Sequence, residues 1–299
     1  MELSVVVPTL NARDDLAGCL DALGTHAPDA EVVVVNGPSA DGTTGMVQER
    51  GDVDRLVDIA DRTINAARNA GIEHSTGDAV GFVSHRSAVE DDWQAAVERG
   101  LALAAGVTGP THTQLRAGVE TEIEETSSIA GRDVRYFNPG NVVLRREVLT
   151  ELDGFDEYLD LGGARDMAHR LAGQGRSVQW DPDMAVVRDA AVDGGVTEPE
   201  WDWKYRSLAY RLVKNYGPRP TILGRIASHA GRDAIDELGR VVRGEAAPST
   251  WLGTGREVLR NAAGGVKDGQ AARRADSSAR RNPRGVSAQD DRAVRVRDL

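Results

Sequence analysis

A single cysteine, Cys19, in 299 residues excludes an intrachain disulfide, and no Cys/His spacing suits a zinc site. Lysine is nearly absent, with only Lys204, Lys214 and Lys267, and aromatic residues make up 4% of the chain. No apolar run approaches the roughly 20 residues that a membrane-spanning helix needs, so any membrane contact is expected to be peripheral. Met1-Glu2-Leu3-Ser4 supplies no basic stretch ahead of a long apolar one, and Pro8 interrupts Leu3 to Leu10. No signal peptide is expected, and the chain reads as cytoplasmic. No internal repeat is found.

What is present is an ordinary globular composition, 40% hydrophobic and 28% charged, long enough for one large domain or two modest ones with a real core. The formal net charge of −11 is unevenly distributed. Residues 1–200 carry 16 basic and 36 acidic side chains, whereas residues 201–299 carry 20 and 11. The acidic front argues against nucleic-acid binding there, and the basic remainder suits anionic lipid headgroups or phosphates. Abundant Asp with almost no Lys resembles the usage of salt-loving archaea.

Leu3 to Pro8 is an apolar β-branched run, as expected of a buried parallel strand, and Leu16, Cys19, Leu20 and Leu23 follow at helical spacing. Glu31 to Val35 and Thr43 to Arg50 repeat the strand-then-helix order. Two such units predict a parallel α/β sheet. A helix over 65–75, a strand over Ala79 to Val83, a helix over Trp93 to Ala105 and strands at Val142 to Leu144 and Ser177 to Trp180 extend the domain to about residue 195. Helices are expected over 196–270, broken at Pro218, Pro220 and Pro248, with an amphipathic face of Ile222, Ile226, Ala230, Ala234, Leu238 and Val241. Residues 271–299, poor in large apolar side chains, are expected to be a disordered tail.

Loops at the carboxyl ends of parallel strands are where ligands settle in open α/β sheets, because backbone N–H groups are free there. Two loops qualify, Pro8-Thr9-Leu10-Asn11 and Asn36-Gly37-Pro38-Ser39-Ala40-Asp41-Gly42-Thr43. Each is also readable as a turn with Asp41 or Thr43 capping the next helix. Taken with Ala67-Arg68-Asn69-Ala70-Gly71-Ile72, Gly77-Asp78-Ala79-Val80-Gly81-Phe82 and Gly154-Phe155-Asp156-Glu157, they resemble the family 2 glycosyltransferases over about residues 3–180. The resemblance implies a GT-A-like, mainly parallel sheet flanked by helices. It also implies a nucleotide-sugar donor near Pro8, Thr9, Asn11, Asn36, Gly37, Asp41 and Ser84, with Arg68 close to the nucleotide, and inversion at the anomeric carbon. Asn36 stands where the family usually has an aspartate, which opens the donor preference beyond the common uridine type. A guanidinium at position 68 suits bidentate bonding to phosphate, although a surface helical arginine reads equally simply.

Two departures stand out. After Val83 the family places two aspartates that hold Mn²⁺ or Mg²⁺, and here Ser84, His85 and Arg86 follow. Hard divalent ions need oxygen ligands, so no metal or other cofactor is expected, and Arg86 is the candidate to supply positive charge in the ion's place. The other reading is a decayed site with Arg86 solvated. The family's second signature, a Glu-Asp pair before the helix ending in Arg-Leu, falls on Gly163 and Ala164. Asp166 and His169 are the candidate replacements for the missing general base, or else helix-stabilising residues.

Trp201, Trp203, Tyr205, Leu208, Tyr210 and Leu212 among Lys204, Arg206, Arg211 and Lys214 combine interfacial aromatics with cations, which suits an anionic membrane surface, docking against the sheet domain, or both on different faces. The expected activity is sugar transfer from a nucleotide-sugar donor to a hydroxyl, a lipid-linked glycan at the cytoplasmic membrane face being the acceptor that such a tail would serve. A non-catalytic partner in glycan assembly is the alternative, and a membrane adaptor using only its tail leaves the strand-end loops unexplained.

Overall fold

The computed structural model describes residues 1–115, 118–190, 201–242 and 248–299; the side chains of residues 201–202, 236–242 and 248–254 lie outside that description. So do the expected domain boundary at 195 and the side chains of Trp201, Leu238 and Val241. In chain order the first elements are β1 (Leu3–Thr9), α1 (Arg13–His26), β2 (Glu31–Asn36), α2 (Thr43–Gln48), β3 (Arg55–Ile59), α3 (Ile64–His74), β4 (Ala79–Val83), β5 (Ala88–Val89), α4 (Trp93–Leu103) and β6 (Gly106–Thr108). There follow β7 (Thr111–Leu115), β8 (Gly118–Thr121), β9 (Thr126–Ile129), β10 (Arg132–Arg135), β11 (Asn141–Arg145), α5 (Arg146–Leu152), α6 (Gly163–Gly173), β12 (Val178–Trp180) and β13 (Val186–Asp189). The chain ends with α7 (Trp201–Tyr216), α8 (Pro220–Val242), α9 (Pro248–Ala275) and β14 (Ala293–Asp298).

Among the described residues the main sheet has eight strands in the order β12-β6-β11-β4-β1-β2-β3-β14. β4, β1, β2 and β3 run parallel, β11 is antiparallel to both β4 and β6, and β14 is antiparallel to β3. This is the α/β architecture expected from the strand-helix alternation. Every residue of β1 is buried, and its side chains alternate between two cores. Val5 and Val7 pack with Leu16, Leu20 and Leu23 of α1, whereas Val6 packs with Ala67 and Ala70 of α3 and with Leu149 and Leu152 of α5. The period of two is thus what places helices on both faces. Each fully buried valine contributes on the order of 1.5–3 kcal/mol. A second sheet, β5-β13-β7-β8, stands beside the main one.

The chain divides into two compact units. The first is formed by the described residues within Met1–Ser128, Asp133–Val192 and Arg284–Leu299, the second by those within Ile129–Arg132 and Asp193–Pro283. In the second unit Tyr205, Leu208, Ala209, Leu212 and Val213 of α7 share a core with Ile222 and Ile226 of α8 and Val258 of α9. Tyr205 and Tyr210 are fully buried, and Tyr205 belongs to the second unit's own helical core. Pro220 and Pro248 open α8 and α9, the first helical position, where a missing N–H costs nothing. No described helix is long and apolar enough to cross a membrane.

Residues 271–299 depart from the expected disordered tail. Ala272 lies in α9, and β14 closes the open edge of β3, with Arg55 Nε donating to Asp298 at 2.7 Å and Arg297 Nη1 to Asp58 at 2.6 Å. What apolar side chains do not supply is supplied by polar ones. The buried guanidinium of Arg292 donates to Glu73, to Glu157 at 2.6 Å and to the carbonyls of Gly285, Val286 and Gln289, and Ser287 donates through N and Oγ to the carboxylate of Asp153.

α3 lies against β1 where Gly71 meets Val6: a Cβ at position 71 would stand 2.2 Å from Val6 Cγ1 and 2.8 Å from Cγ2. Gly71→Ala should therefore destabilise the protein by about 1–3 kcal/mol despite alanine's higher helix propensity. Gly45→Ala in α2, where a Cβ meets nothing within 4 Å, should be neutral or stabilising. Denaturant midpoints of the two variants check this contrast.

Candidate functional site

The carboxyl ends of β1, β2 and β4 bring the expected loops together, with Thr9 and Asn36 as register partners. Beside them Pro8, Thr9, Gly37, Arg62, Thr63 and His85 line a small pocket of about 80 Å³. Thr9 is buried, and its Oγ1 has no hydrogen-bond partner among the described residues. His85 Nδ1 is 3.0 Å from the Pro8 carbonyl and, as the N–H tautomer, donates to it. Burial lowers the His85 pKa from its ordinary value.

The other loop residues act on the loop itself. The carboxylate of Asp41 accepts from Thr43 N, Thr43 Oγ1 and Arg13 N, and the first of these bonds lowers its pKa together with the Thr43 hydroxyl, the stronger cause. It caps α2 and ties it to α1, the simpler of the two readings. Asn11, in the left-handed region at φ 49°, accepts from Ala40 N on its side-chain oxygen and donates its own N–H to Ser39 Oγ. Asn36 is buried, donating to Thr44 Oγ1 at 2.8 Å and accepting from Ser39 Oγ at 2.7 Å.

A larger cleft of about 610 Å³ opens between α3, the start of α6 and the second sheet, lined by Asn65, Arg68, Tyr136, Asn138, Arg165 and Arg188 and by the acids Glu120, Glu122, Glu125 and Asp160. Arg68 is the expected nucleotide-site residue that reaches it. The guanidinium is buried, Nη1 donates to Asn65 at 3.0 Å and Nη2 to the Pro139 carbonyl at 3.3 Å, and the group lies over the Phe155 ring at 5.2 Å. Its Nε has no partner and no carboxylate pairs with it among the described residues. Burial pushes its pKa down to about 10. Phe155 is held in turn by Asn69, which accepts from its N–H and donates to its carbonyl and to Glu157.

Three expected residues lie elsewhere. Arg86, the candidate substitute for a metal, pairs with Asp15 of α1 at 3.3 Å, about half exposed, and lines neither cavity. Its neighbour Ser84 accepts the Arg86 backbone N–H on Oγ. Asp166 is fully buried in an ion pair with Arg170 at 2.8 Å, and Arg170 also donates to the carbonyls of Leu152 and Gly154. His169 is buried edge-on against Tyr136. On α6 both are buried, whereas Gly163, Ala164 and Arg165 of its first turn line the cleft. At position 163 a Cβ would come within 2.4 Å of the Asn65 side chain, so the family's Glu cannot be accommodated here without displacing Asn65.

The side chains that follow β4 do not suit the metal expected of the family. A hydroxyl, an imidazole turned to a carbonyl and a guanidinium do not fit Mn²⁺ or Mg²⁺, and no described group of three His, Cys, Asp or Glu side chains is arranged to hold an ion. Sequence reasoning missed Asn65, Arg165 and the cleft acids. Asn65 was within reach, one turn before Arg68 on the same helix; Glu120, Glu122 and Glu125 sit on or beside short strands without a clear alternating pattern, and Asp160 and Arg165 lie in the loop before α6 and in its first turn.

Residues 4–99 match the family described as Glycosyl transferase family 2. Over 220 residues the chain is 25% identical to glycosyltransferase AglE of Haloferax volcanii, covering 67% of this chain and 70% of that protein. It is 36% identical over 86 residues to the uncharacterized glycosyltransferase YibD of Escherichia coli, covering 27% and 25% of the two. Among solved structures it is similar to the mannosyltransferase PcManGT from Pyrobaculum calidifontis in complex with GDP-Man and Mn²⁺, with TM-score 0.59 and 18% identity over 89% of this chain and 87% of that one. S. aureus TarS 1–349 in complex with UDP-GlcNAc gives TM-score 0.56 and 17% identity over 72% and 68%. The fold is that of the GT-A glycosyltransferases, as the motif order implied.

Two outcomes follow. A buried cation without a counter-charge costs folding energy, so Arg68→Met should raise the melting temperature of the ligand-free protein. His85, whose folded pKa is depressed, contributes stability that is full above its unfolded value near 6.5 and is lost as pH falls through the folded value. The fall in stability below about pH 6.5 should therefore be shallower in His85→Asn, as read from melting temperatures across that range.

Proposed function

Taking the family 2 glycosyl transferase match over residues 4–99 as the premise, we propose that this protein transfers a sugar from a nucleotide-sugar donor to a hydroxyl acceptor. The observation that carries the reading is Arg68, a buried guanidinium lining the cleft with no carboxylate partner among the described residues, where a donor diphosphate supplies the missing negative charge. The base occupies the small pocket, with Thr9 Oγ1 and the Pro8–Gly37 backbone edge beside it. In the step itself the acceptor oxygen bonds to the anomeric carbon, and the bond from that carbon to the phosphate oxygen breaks. Its electron pair leaves on the nucleoside diphosphate, and the acceptor proton passes to a cleft carboxylate. Asp160 takes that role in preference to Asp166, because it opens the loop that leads through Leu161 and Gly162 to Gly163, all lining the cleft. Transfer is metal-independent, in keeping with the donor set at Ser84–Arg86. The acceptor is a lipid-linked glycan at an anionic cytoplasmic membrane face; the exposed apolar side chains of Ile123 and Leu161 at the cleft and the basic charge of residues 201–299 support this.

A second reading, a non-catalytic GT-A partner in glycan assembly, is favoured by Gly163 and Ala164 at the family's acidic pair and by the engagement of Asp166 with Arg170. Melting curves against UDP-, GDP- and dTDP-sugars, each with EDTA and with Mn²⁺, separate the two. A donor at 100 times its Kd should stabilise by about 2.7 kcal/mol, a shift of several degrees. The expected result is a donor-specific shift that EDTA leaves intact and Arg68→Met abolishes, with Asp160→Asn retaining the shift but losing transfer. A shift that needs Mn²⁺ overturns the metal-free reading, donor binding without turnover favours the partner, and no shift with any donor removes the donor site.

A further inference from the structure

We propose that Arg132, Arg219, Arg273 and Arg281, brought to one end of the second unit, form a binding site for a phosphate group. The site is built on the turn that follows α7. Gly217 takes the left-handed conformation at φ 79° and its N–H closes on the Val213 carbonyl at 2.8 Å, ending the helix, and Arg219 N then donates to the Gly217 carbonyl at 2.9 Å. Three arginines from different segments lie at this turn. Arg273, from the last turn of α9, donates to the carbonyls of Lys214 at 3.0 Å and Asn215 at 3.2 Å, with its Nε 3.6 Å from where a Gly217 Cβ would stand. Arg132, from the β9–β10 turn, lies over the Tyr216 ring at 5.3 Å. Arg219 belongs to the turn itself and is exposed.

The fourth arginine is delivered by a second, tightly held turn. Asp276 accepts from Ser278 N at 2.9 Å, Ser278 Oγ, Asn282 N at 2.9 Å and Arg280 Nε at 3.0 Å, and Arg281 within this turn adopts the left-handed conformation at φ 52°. A non-glycine residue in that region is strained, and the surrounding Asp276 bonds are what hold it there. Burial and then the like charges of Arg281, Arg219 and Arg132 lower the pKa of Arg273, which agrees with the four groups sharing one region.

Two of these arginines have internal tasks: Arg273 meets the carbonyl end of α7 and Arg132 an aromatic face. Neither task calls for Arg219 or Arg281, and among the described residues no carboxylate pairs with any of the four. In a chain with 47 acidic side chains and a net charge of −11, four mutually repelling cations without an acid among them are arranged as if for an anion from outside. The planar forks of several arginines match the three oxygens of a phosphate group, which accept more bonds at fixed angles than a single halide ion does. The inference concerns the second unit alone and stands whether or not the cleft transfers a sugar.

The test uses the full chain. Calorimetric titration with inorganic pyrophosphate probes a soluble source of the phosphate, and co-sedimentation with phosphatidylglycerol vesicles, compared with phosphatidylcholine vesicles, probes a lipid headgroup. Arg219→Gln/Arg281→Gln is the chief variant, because neither side chain holds the fold together. Binding should fall about tenfold or more, the scale of a lost charge-assisted bond, while Arg260→Gln on α9 leaves it unchanged. Binding to pyrophosphate alone assigns the site to soluble phosphates, and binding to anionic vesicles alone assigns it to headgroups; both support it. No binding to either, or binding that the double variant retains in full, overturns it.

Discussion

One carboxylate joins the parts on which the cleft depends. Glu157 receives the amide of Asn69 from α3 and the guanidinium of Arg292 from the last segment of the chain, and through Asn69 the Phe155 backbone is fixed on both its N–H and its carbonyl. Phe155 then supplies the ring over which Arg68 lies. Three stretches far apart in sequence thus position one buried cation. Glu157, Asn69 and Arg292 satisfy one another, whereas Arg68 at the end of the chain of contacts keeps an unpaired Nε and no counter-charge among the described residues.

The parts of the fold that were legible are those in which a single physical signal dominates. β1, β2 and β4 are runs of small apolar residues with few alternatives, and α1 and α4 show apolar side chains at helical steps, so their positions agree with the sequence to within a few residues. β3 has only Arg55-Leu56-Val57-Asp58-Ile59, with charges at both faces, and β7 to β10 are polar and short, so period-two reasoning had little to detect. β14 is the clearest omission: Arg295 and Arg297 alternate with Val294 and Val296, a strand pattern hidden inside a segment whose overall composition is that of a disordered tail.

For the site, the sequence located the loops better than it assigned the side chains within them. Asp41, Asn11 and Asn36 occupy the expected strand ends but spend their hydrogen-bonding capacity on neighbouring backbone and hydroxyl groups. For Asp166 the alternative to a base holds: four positions apart on α6, Asp166 and Arg170 form a fully buried ion pair. Position 163 is the reverse case: glycine there reads as a loss in the sequence, whereas in three dimensions it leaves room for Asn65, which orients Arg68.

The antiparallel pairing of β14 with β3 also dictates an order of events during synthesis. Arg55 and its partner Asp298 are 243 positions apart, and the strand between them and the rest of the sheet has a bare edge until residues 293–298 have left the ribosome. Until then the nascent sheet offers β3 to any extended segment that passes, and Glu157 lacks the cation that completes its network. The network around Glu157 is therefore complete only after Arg292 has been made, although every residue that lines the cleft lies between positions 64 and 188.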